Sequence, residues 1–199
     1  RMDHTLEVRW FYPGTPPSAL VDWITDLGAT QESVRTDLYL VSDDPAMNVK
    51  LREGKVQTKH RLNRPVPCQF SPSVGGHRER WVKWSFGLNG SHDLLDEDPT
   101  GLWVPVHKDR LQLSLEPDEV EDIVGGAIDP ETTEAAVELT TVSADGSSAW
   151  SLCIESEGRP AGLSGTLDRA GDVLLQDCPH PLDDEHSFGY ARWIRAEVS

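Results

Sequence analysis

Four basic residues stand two apart on either side of one turn: Lys50 and Arg52 before Glu53-Gly54, Lys59 and Arg61 after it. Side chains alternate along a strand. If Arg52 pairs with Lys55, then Lys50 faces Gln57, Asn48 faces Lys59, and all these cations share one face. The other face carries Val49, Leu51, Val56 and Leu62. Like charges set opposite each other destabilise a sheet unless something neutralises them. The ladder therefore fits a multivalent anion or a facing set of carboxylates. It equally fits long side chains that reach into water from an outward face.

A second pair of strands has the reverse sign. With Asp145-Gly146 as a hairpin turn, Glu138 faces Cys153, Ala136 faces Glu155 and Glu134 faces Glu157. The four Glu then share one face, and Val137, Leu139, Leu152 and Ile154 share the other. Carboxylates two residues apart on a strand suit a hard divalent cation, which takes oxygen ligands. A solvated polar face is the alternative. A slip of one residue would reverse either ladder, so both depend on their turns. Taken together, a barrel lined by cations on some strands and carboxylates on others could hold a metal-phosphate complex. Phosphoryl chemistry asks for little beyond positioning, cationic charge on the oxygens, and Mg²⁺ or Mn²⁺.

The surrounding chain predicts the elements that would position these ladders. Leu6–Tyr12 reads as a strand. Thr15 reads as the cap of a helix beginning at Pro16, with Leu20, Trp23, Ile24 and Leu27 at helical spacing and Gly28 as the stop. Strands are expected at Thr36–Val41, Met47–Arg52, Lys55–Leu62, near Gln69, and at Arg78–Leu88. Others follow at Trp103–Val106, Arg110–Leu115, Ala135–Val142 and Ala149–Glu157. An acidic loop over 89–100 and a short helix at Pro117–Val124 lie between them. Val173–Gln176 reads as a strand, and Tyr190–Ala196 as a terminal strand or helix. The expected fold is mostly β (α+β), an antiparallel curved sheet or barrel with two or three helices, in one domain over 2–199.

Composition limits the partners. The chain has 199 residues, with 18 Lys plus Arg against 34 Asp plus Glu, a formal net charge of −16. Such a chain repels long nucleic acid and anionic membrane, and no apolar run approaches the ~20 residues a spanning helix needs. The charge is uneven, however. Residues 50–83 hold nine basic residues against Glu53 and Glu79, a local +7. Seven Trp argue against disorder. Cys68, Cys153 and Cys178 fit neither a disulfide framework nor a CxxC zinc pair. No secretory leader is evident, and a cytoplasmic location is the simplest expectation. Cys178, His180, Asp183, Asp184 and His186 could each ligate a metal, but their spacing matches no zinc pattern, so an acidic surface loop is expected there.

In order and spacing the chain resembles the CYTH superfamily, the triphosphate tunnel metalloenzymes, over about residues 5–195. Thr36-Asp37-Leu38-Tyr39-Leu40 resembles its D-x-Y strand, Lys50-Leu51-Arg52 its R-x-R strand, and Gln57-Thr58-Lys59 its T-x-K strand. Arg80 falls where a further basic strand is expected. Val137-Glu138-Leu139 and Ile154-Glu155-Ser156-Glu157 resemble its late acidic hairpin. Ser187-Phe188-Gly189-Tyr190 and Trp193 resemble its ending. The family's opening E-x-E-x-K reads Glu7-Val8-Arg9-Trp10-Phe11 here, so only the first Glu survives.

The resemblance implies an eight-stranded tunnel. Glu7, Glu155 and Glu157 would hold Mg²⁺ or Mn²⁺, and Lys50, Arg52, Lys59, Arg61 and Arg80 would bind phosphates. Asp37, Tyr39 and Glu138 would support them. Arg9 would repel the metal, pair with Glu155 or Glu157, or join the phosphate-binding set, since guanidinium matches phosphate oxygens.

Three readings follow. The first in order is a divergent tunnel protein that binds a small phosphorylated ligand, triphosphate or polyphosphate in type, with weak or no hydrolase activity. The second is an active metal-dependent tripolyphosphatase or nucleoside triphosphatase. The third is a non-catalytic barrel whose ladders are internal salt bridges and which serves as a scaffold or binds a protein partner.

Overall fold

The computed structural model describes residues 2–87, 101–116, 119 and 133–198. Its strands are β1 (Met2–Pro13), β2 (Thr30–Gln31), β3 (Arg35–Leu40), β4 (Met47–Arg52), β5 (Lys55–Arg61), β6 (Val66–Ser71), β7 (Val74–Gly87), β8 (Trp103–Leu115), β9 (Thr133–Ala144) and β10 (Ser147–Gly158). Helix α1 spans Ser18–Asp26, α2 Leu163–Leu174 and α3 Tyr190–Val198. The expected loop at 89–100 and helix at Pro117–Val124 fall outside the described residues, Glu119 apart.

Eight strands close an antiparallel barrel in the order β1-β10-β9-β8-β3-β4-β5-β7, and β7 pairs back onto β1. The closing seam runs from Met2 opposite Trp84 to Glu7 opposite Glu79. Strand β2 lies beside β8, and β6 extends one end of β7. Both hairpin registers are those the turns predicted. Arg52 pairs with Lys55 and Lys50 with Gln57, while Glu138 pairs with Cys153 and Glu155 with Ala136. Glu53 and Asp145 take positive φ ahead of Gly54 and Gly146, the backbone that a tight two-residue hairpin requires.

Two apolar clusters hold the barrel in place. On the outside, Leu6, Val8 and Trp10 of β1, Val137 and Leu139 of β9, and Leu152 and Ile154 of β10 pack against Leu20 and Ile24 of α1 and Leu163, Leu167 and Leu174 of α2. At one end, α3 inserts Tyr190, Trp193 and Ile194 among the inward residues Phe11, Tyr39, Val104, Val106, Val142 and Ala149. Phe11 stacks on Trp193 at 5.4 Å between ring centroids and meets Tyr190 edge-on at 5.1 Å. The barrel is thus covered on one flank and filled at one end. No helix among the described residues is long and apolar enough to cross a membrane.

Several expectations are corrected. Thr15 caps nothing: α1 starts at Ser18, after Pro17 in an extended conformation with φ −56° and ψ 141°. Each proline bars its predecessor from helical backbone, so the pair Pro16-Pro17 delays the helix. Trp103–Val106 and Arg110–Leu115 are one strand. Val173–Gln176 is no strand, since residues 173 and 174 end α2. The terminal segment resolves as helix. The cluster around Cys178 and His186 forms a loop with a short 3₁₀ turn at Asp184–His186, which the Asp183 side chain caps by accepting from the His186 amide.

Gly171 faces the Phe70 ring so closely that a β-carbon would overlap it. Gly171→Ala is therefore expected to destabilise by about 1–3 kcal/mol through overpacking, against alanine's better helix propensity. A urea titration checks this, with Phe70→Leu expected to restore part of the loss.

Candidate functional site

Because the outer faces of β1, β9 and β10 bury against α1 and α2, alternation turns Glu7, Arg9, Glu138, Cys153 and Glu155 inward. The same parity turns Arg35, Asp37 and Tyr39 of β3, Lys50 and Arg52 of β4, Lys59 of β5, Trp81 and Lys83 of β7, and Lys108 of β8 toward them. The result is a cavity of about 210 Å³ whose lining holds seven cationic side chains, Arg9, Arg35, Lys50, Arg52, Lys59, Lys83 and Lys108, against Glu7, Glu138 and Glu155. Lys108 is 3% exposed and Arg9 9%, whereas Arg52 and Lys83 are 31% and 25% exposed. The filled end is therefore dry, and the other end meets water.

The two ladders face each other, and part of their charge is internally paired. Lys59 Nζ lies 3.1 Å from Glu7 Oε2 and 3.3 Å from Glu155 Oε2. Arg9 donates to Ser151 Oγ at 3.1 Å and to Glu138 Oε1 at 3.5 Å, and its Nε is 3.9 Å from Glu7. Glu138 also accepts from Thr140 at 2.9 Å and from Arg110 at 3.3 Å. At the dry end Asp37 sits 3.1 Å from Lys108, 3.4 Å from Lys50 and 3.5 Å from Arg35. Lys108 donates to the Tyr39 hydroxyl at 2.6 Å and lies 3.9 Å from the centre of the Tyr190 ring.

Burial and charge set the protonation states. Burial alone would raise the Asp37 carboxyl, but Lys108, Lys50 and Arg35 outweigh it and hold the group at about 2. Glu138 is likewise brought to about 2, with Arg9 and Lys108 overcoming its burial. Burial pushes Lys50 down to about 8 despite Asp37, and drives Lys108 well below an ordinary lysine with Lys50 adding to the effect. Glu7 and Glu155 titrate together: Lys59 and Arg9 overcome burial at Glu7 and lower it, while burial and the charge of Glu7 raise Glu155.

Of the expected phosphate ligands, Arg9, Lys50, Arg52 and Lys59 meet in the cavity. Arg61 points inward but farther along, where it pairs with Glu79 at 2.5 Å. Arg80 lies on the opposite face of β7 from Glu79 and Trp81, beside Leu6 on the next strand. Of the expected metal ligands, Glu7 and Glu155 meet, and the third group that converges with them is the buried Cys153 thiol. Glu157 instead pairs with Lys83 at 3.4 Å. Arg9 pairs with Glu138 and Glu7 in place of Glu155 or Glu157. Asp37 lies beside Lys50 and Lys108, the Tyr39 hydroxyl accepts from Lys108, and Glu138 lies beside Arg9. The sequence reading missed Arg35, Lys83, Lys108 and Arg110. Lys108 and Arg110 carry the two-residue spacing that could have revealed them.

The Glu7, Cys153 and Glu155 group does not fit Mg²⁺ or Mn²⁺. It offers two carboxylates and a soft thiol, where such ions prefer an oxygen shell. Lys59 already bridges both carboxylates, and a divalent ion ~4 Å from it would be repelled by about 8 kcal/mol at an effective dielectric of 20.

No family model matches the chain, and no curated protein matches it. Among solved structures, a conserved hypothetical protein from Pyrococcus furiosus aligns over 94% of this chain and 98% of its own, at 10% identity and a TM-score of 0.47. The PH1012 protein from Pyrococcus horikoshii aligns over 92% and 93%, at 13% identity and a TM-score of 0.43. Neither likeness bears on what the cavity does. The eight-stranded antiparallel barrel is compatible with the tunnel that the CYTH resemblance implies.

Asp37→Asn should cost roughly 3–5 kcal/mol at pH 7, because it leaves buried cations without their counter-charge. The carboxyl is lower in the folded state, so its contribution is present above its ordinary value of 3.8 and disappears as pH falls toward about 2. Urea midpoints of the two proteins should therefore converge over that range.

Proposed function

We propose that the barrel binds a small phosphorylated ligand, triphosphate or polyphosphate in type, in the cationic cavity, with weak or no hydrolase activity. The observation that carries this reading is the cation surplus: seven basic side chains line the cavity against Glu7, Glu138 and Glu155, and adding Asp37, shared by Lys108, Lys50 and Arg35, and Glu157, beside Lys83, still leaves more cations than carboxylates. Among the described residues, the ion pair of Arg52 is with the exposed Glu53, at 3.8 Å. Guanidinium and ammonium groups arrayed around a half-open cavity match the equatorial oxygens of linked phosphates. The acidic exterior would keep longer polyanions away while the cavity attracts a small one.

Weak or absent turnover accords with the state of the acidic wall, where Lys59 and Arg9 occupy the surroundings of Glu7 and Glu155. Phosphoryl transfer without a bridging metal lacks its main charge neutraliser.

Tripolyphosphate at millimolar concentration is expected to raise the thermal midpoint, as any ligand specific to the native state does. Arg52→Ala should weaken binding by roughly tenfold, the loss of one charge-assisted contact. Phosphate release from tripolyphosphate or nucleoside triphosphates with Mg²⁺ or Mn²⁺ should stay near background. Rapid release would instead identify an active triphosphatase. A thermal midpoint indifferent to tripolyphosphate would identify a scaffold.

A further inference from the structure

We propose that the cavity takes its ligand as the free polyanion, with Lys59 and Arg9 standing where a divalent metal would otherwise bridge ligand and acidic wall. This rests on the phosphate-binding reading above and specifies the form in which the ligand is recognised.

The geometry of the acidic wall is the first support. A bridging metal joins carboxylates to phosphate oxygens by presenting positive charge to both. Here Lys59 Nζ contacts Glu7 and Glu155 together, at 3.1 and 3.3 Å. The Arg9 guanidinium spans Glu7 and Glu138, at 3.9 and 3.5 Å. Lys59 and Arg9 both line the cavity, so each presents charge to the carboxylates behind it and to the space in front. An ammonium has three donors and a guanidinium five. Lys59 uses contacts to two carboxylates and retains donor capacity for a phosphate oxygen. The carboxylates hold the two cations in place, which is a positioning role.

The second support is independent of the acidic wall. Trp81 Nε1 and the Tyr190 hydroxyl are buried side-chain groups with no hydrogen-bond partner among the described residues, and both residues line the cavity. Trp81 is 3% exposed and Tyr190 8%. A buried indole N–H can only donate, so it is satisfied by an acceptor such as an anionic oxygen and repelled by a metal ion. The Nε groups of Arg9, Arg35 and Arg52 make no hydrogen bond among the described residues, and each lies within 3.9 Å of a carboxylate as an ion pair only. The lining is thus donor-rich on several strands, as suits an anion whose oxygens are not already shared with a metal.

The test is isothermal titration of the full chain with tripolyphosphate, once in EDTA and once with excess Mg²⁺. Binding is expected in EDTA and should weaken by tenfold or more with Mg²⁺, which sequesters the free anion. Binding that requires Mg²⁺, or tightens with it, overturns the proposal and leaves the phosphate-binding reading standing. Absence of binding in both arms overturns both. Titration of Mn²⁺ alone into the ligand-free protein should show no site at micromolar concentrations, and a micromolar site lost in Glu155→Gln counts against the proposal. Lys59→Arg should keep metal-free binding and Lys59→Met should lose it. If Lys59→Met does not fold, the wild-type comparison in EDTA and Mg²⁺ decides the question by itself.

Discussion

A closed barrel has nowhere to send an inward side chain except toward the opposite wall. Once β7 pairs with β1, every second residue of eight strands shares one enclosed space. When those residues are Glu7, Arg9, Asp37, Lys50, Lys59, Lys108 and Glu138, the charges farthest from the open end must be solvated by one another. The ion pairs of the interior follow from that constraint. So does the division of the apolar residues, which are left to cover one flank through α1 and α2 and one end through α3.

The same constraint explains what could be read from the chain. Ladder registers were legible because Glu53-Gly54 and Asp145-Gly146 fix the pairing of their flanking strands, and alternation then assigns every face. Lys50 with Lys59 and Glu138 with Glu155 were thereby placed on shared faces, but not which way those faces turn, and Glu7 was named only through the resemblance. Strand β8 was harder. Its middle reads His107-Lys108-Asp109-Arg110, which looks like a polar gap because the usual cue, apolar inside and polar outside, does not apply where the interior is itself polar. Lys108 points into the barrel and Asp109 away from it, and only the neighbouring strands settle which is which. Helix α2 was missed for a local reason. Gly165 and Gly171 depress its intrinsic propensity, although Leu163, Leu167, Ala170 and Leu174 carry a helical spacing that docks on β10.

Arg80 and Glu157 show the limit of reading a motif as a set of positions. Both fall at suitable places along the chain. Arg80 nevertheless lies on the outward side of its strand, because its neighbour Glu79 is the inward one. Glu157 does face inward but meets Lys83 before it can join Glu155. Parity and the nearest opposite charge decide such cases, and neither is visible in a spacing alone.

The filled end has a geometric consequence. With Tyr190, Trp193 and Ile194 seated among Phe11, Tyr39 and Val106, the barrel is a socket closed at one end. A through-channel can thread a chain and grip it anywhere along its length. A socket can receive only a terminus. An elongated ligand of the kind proposed would have to enter end-on, its leading group toward Lys108 and Tyr190 and its remainder toward Arg52 and Lys83, which also line the cavity.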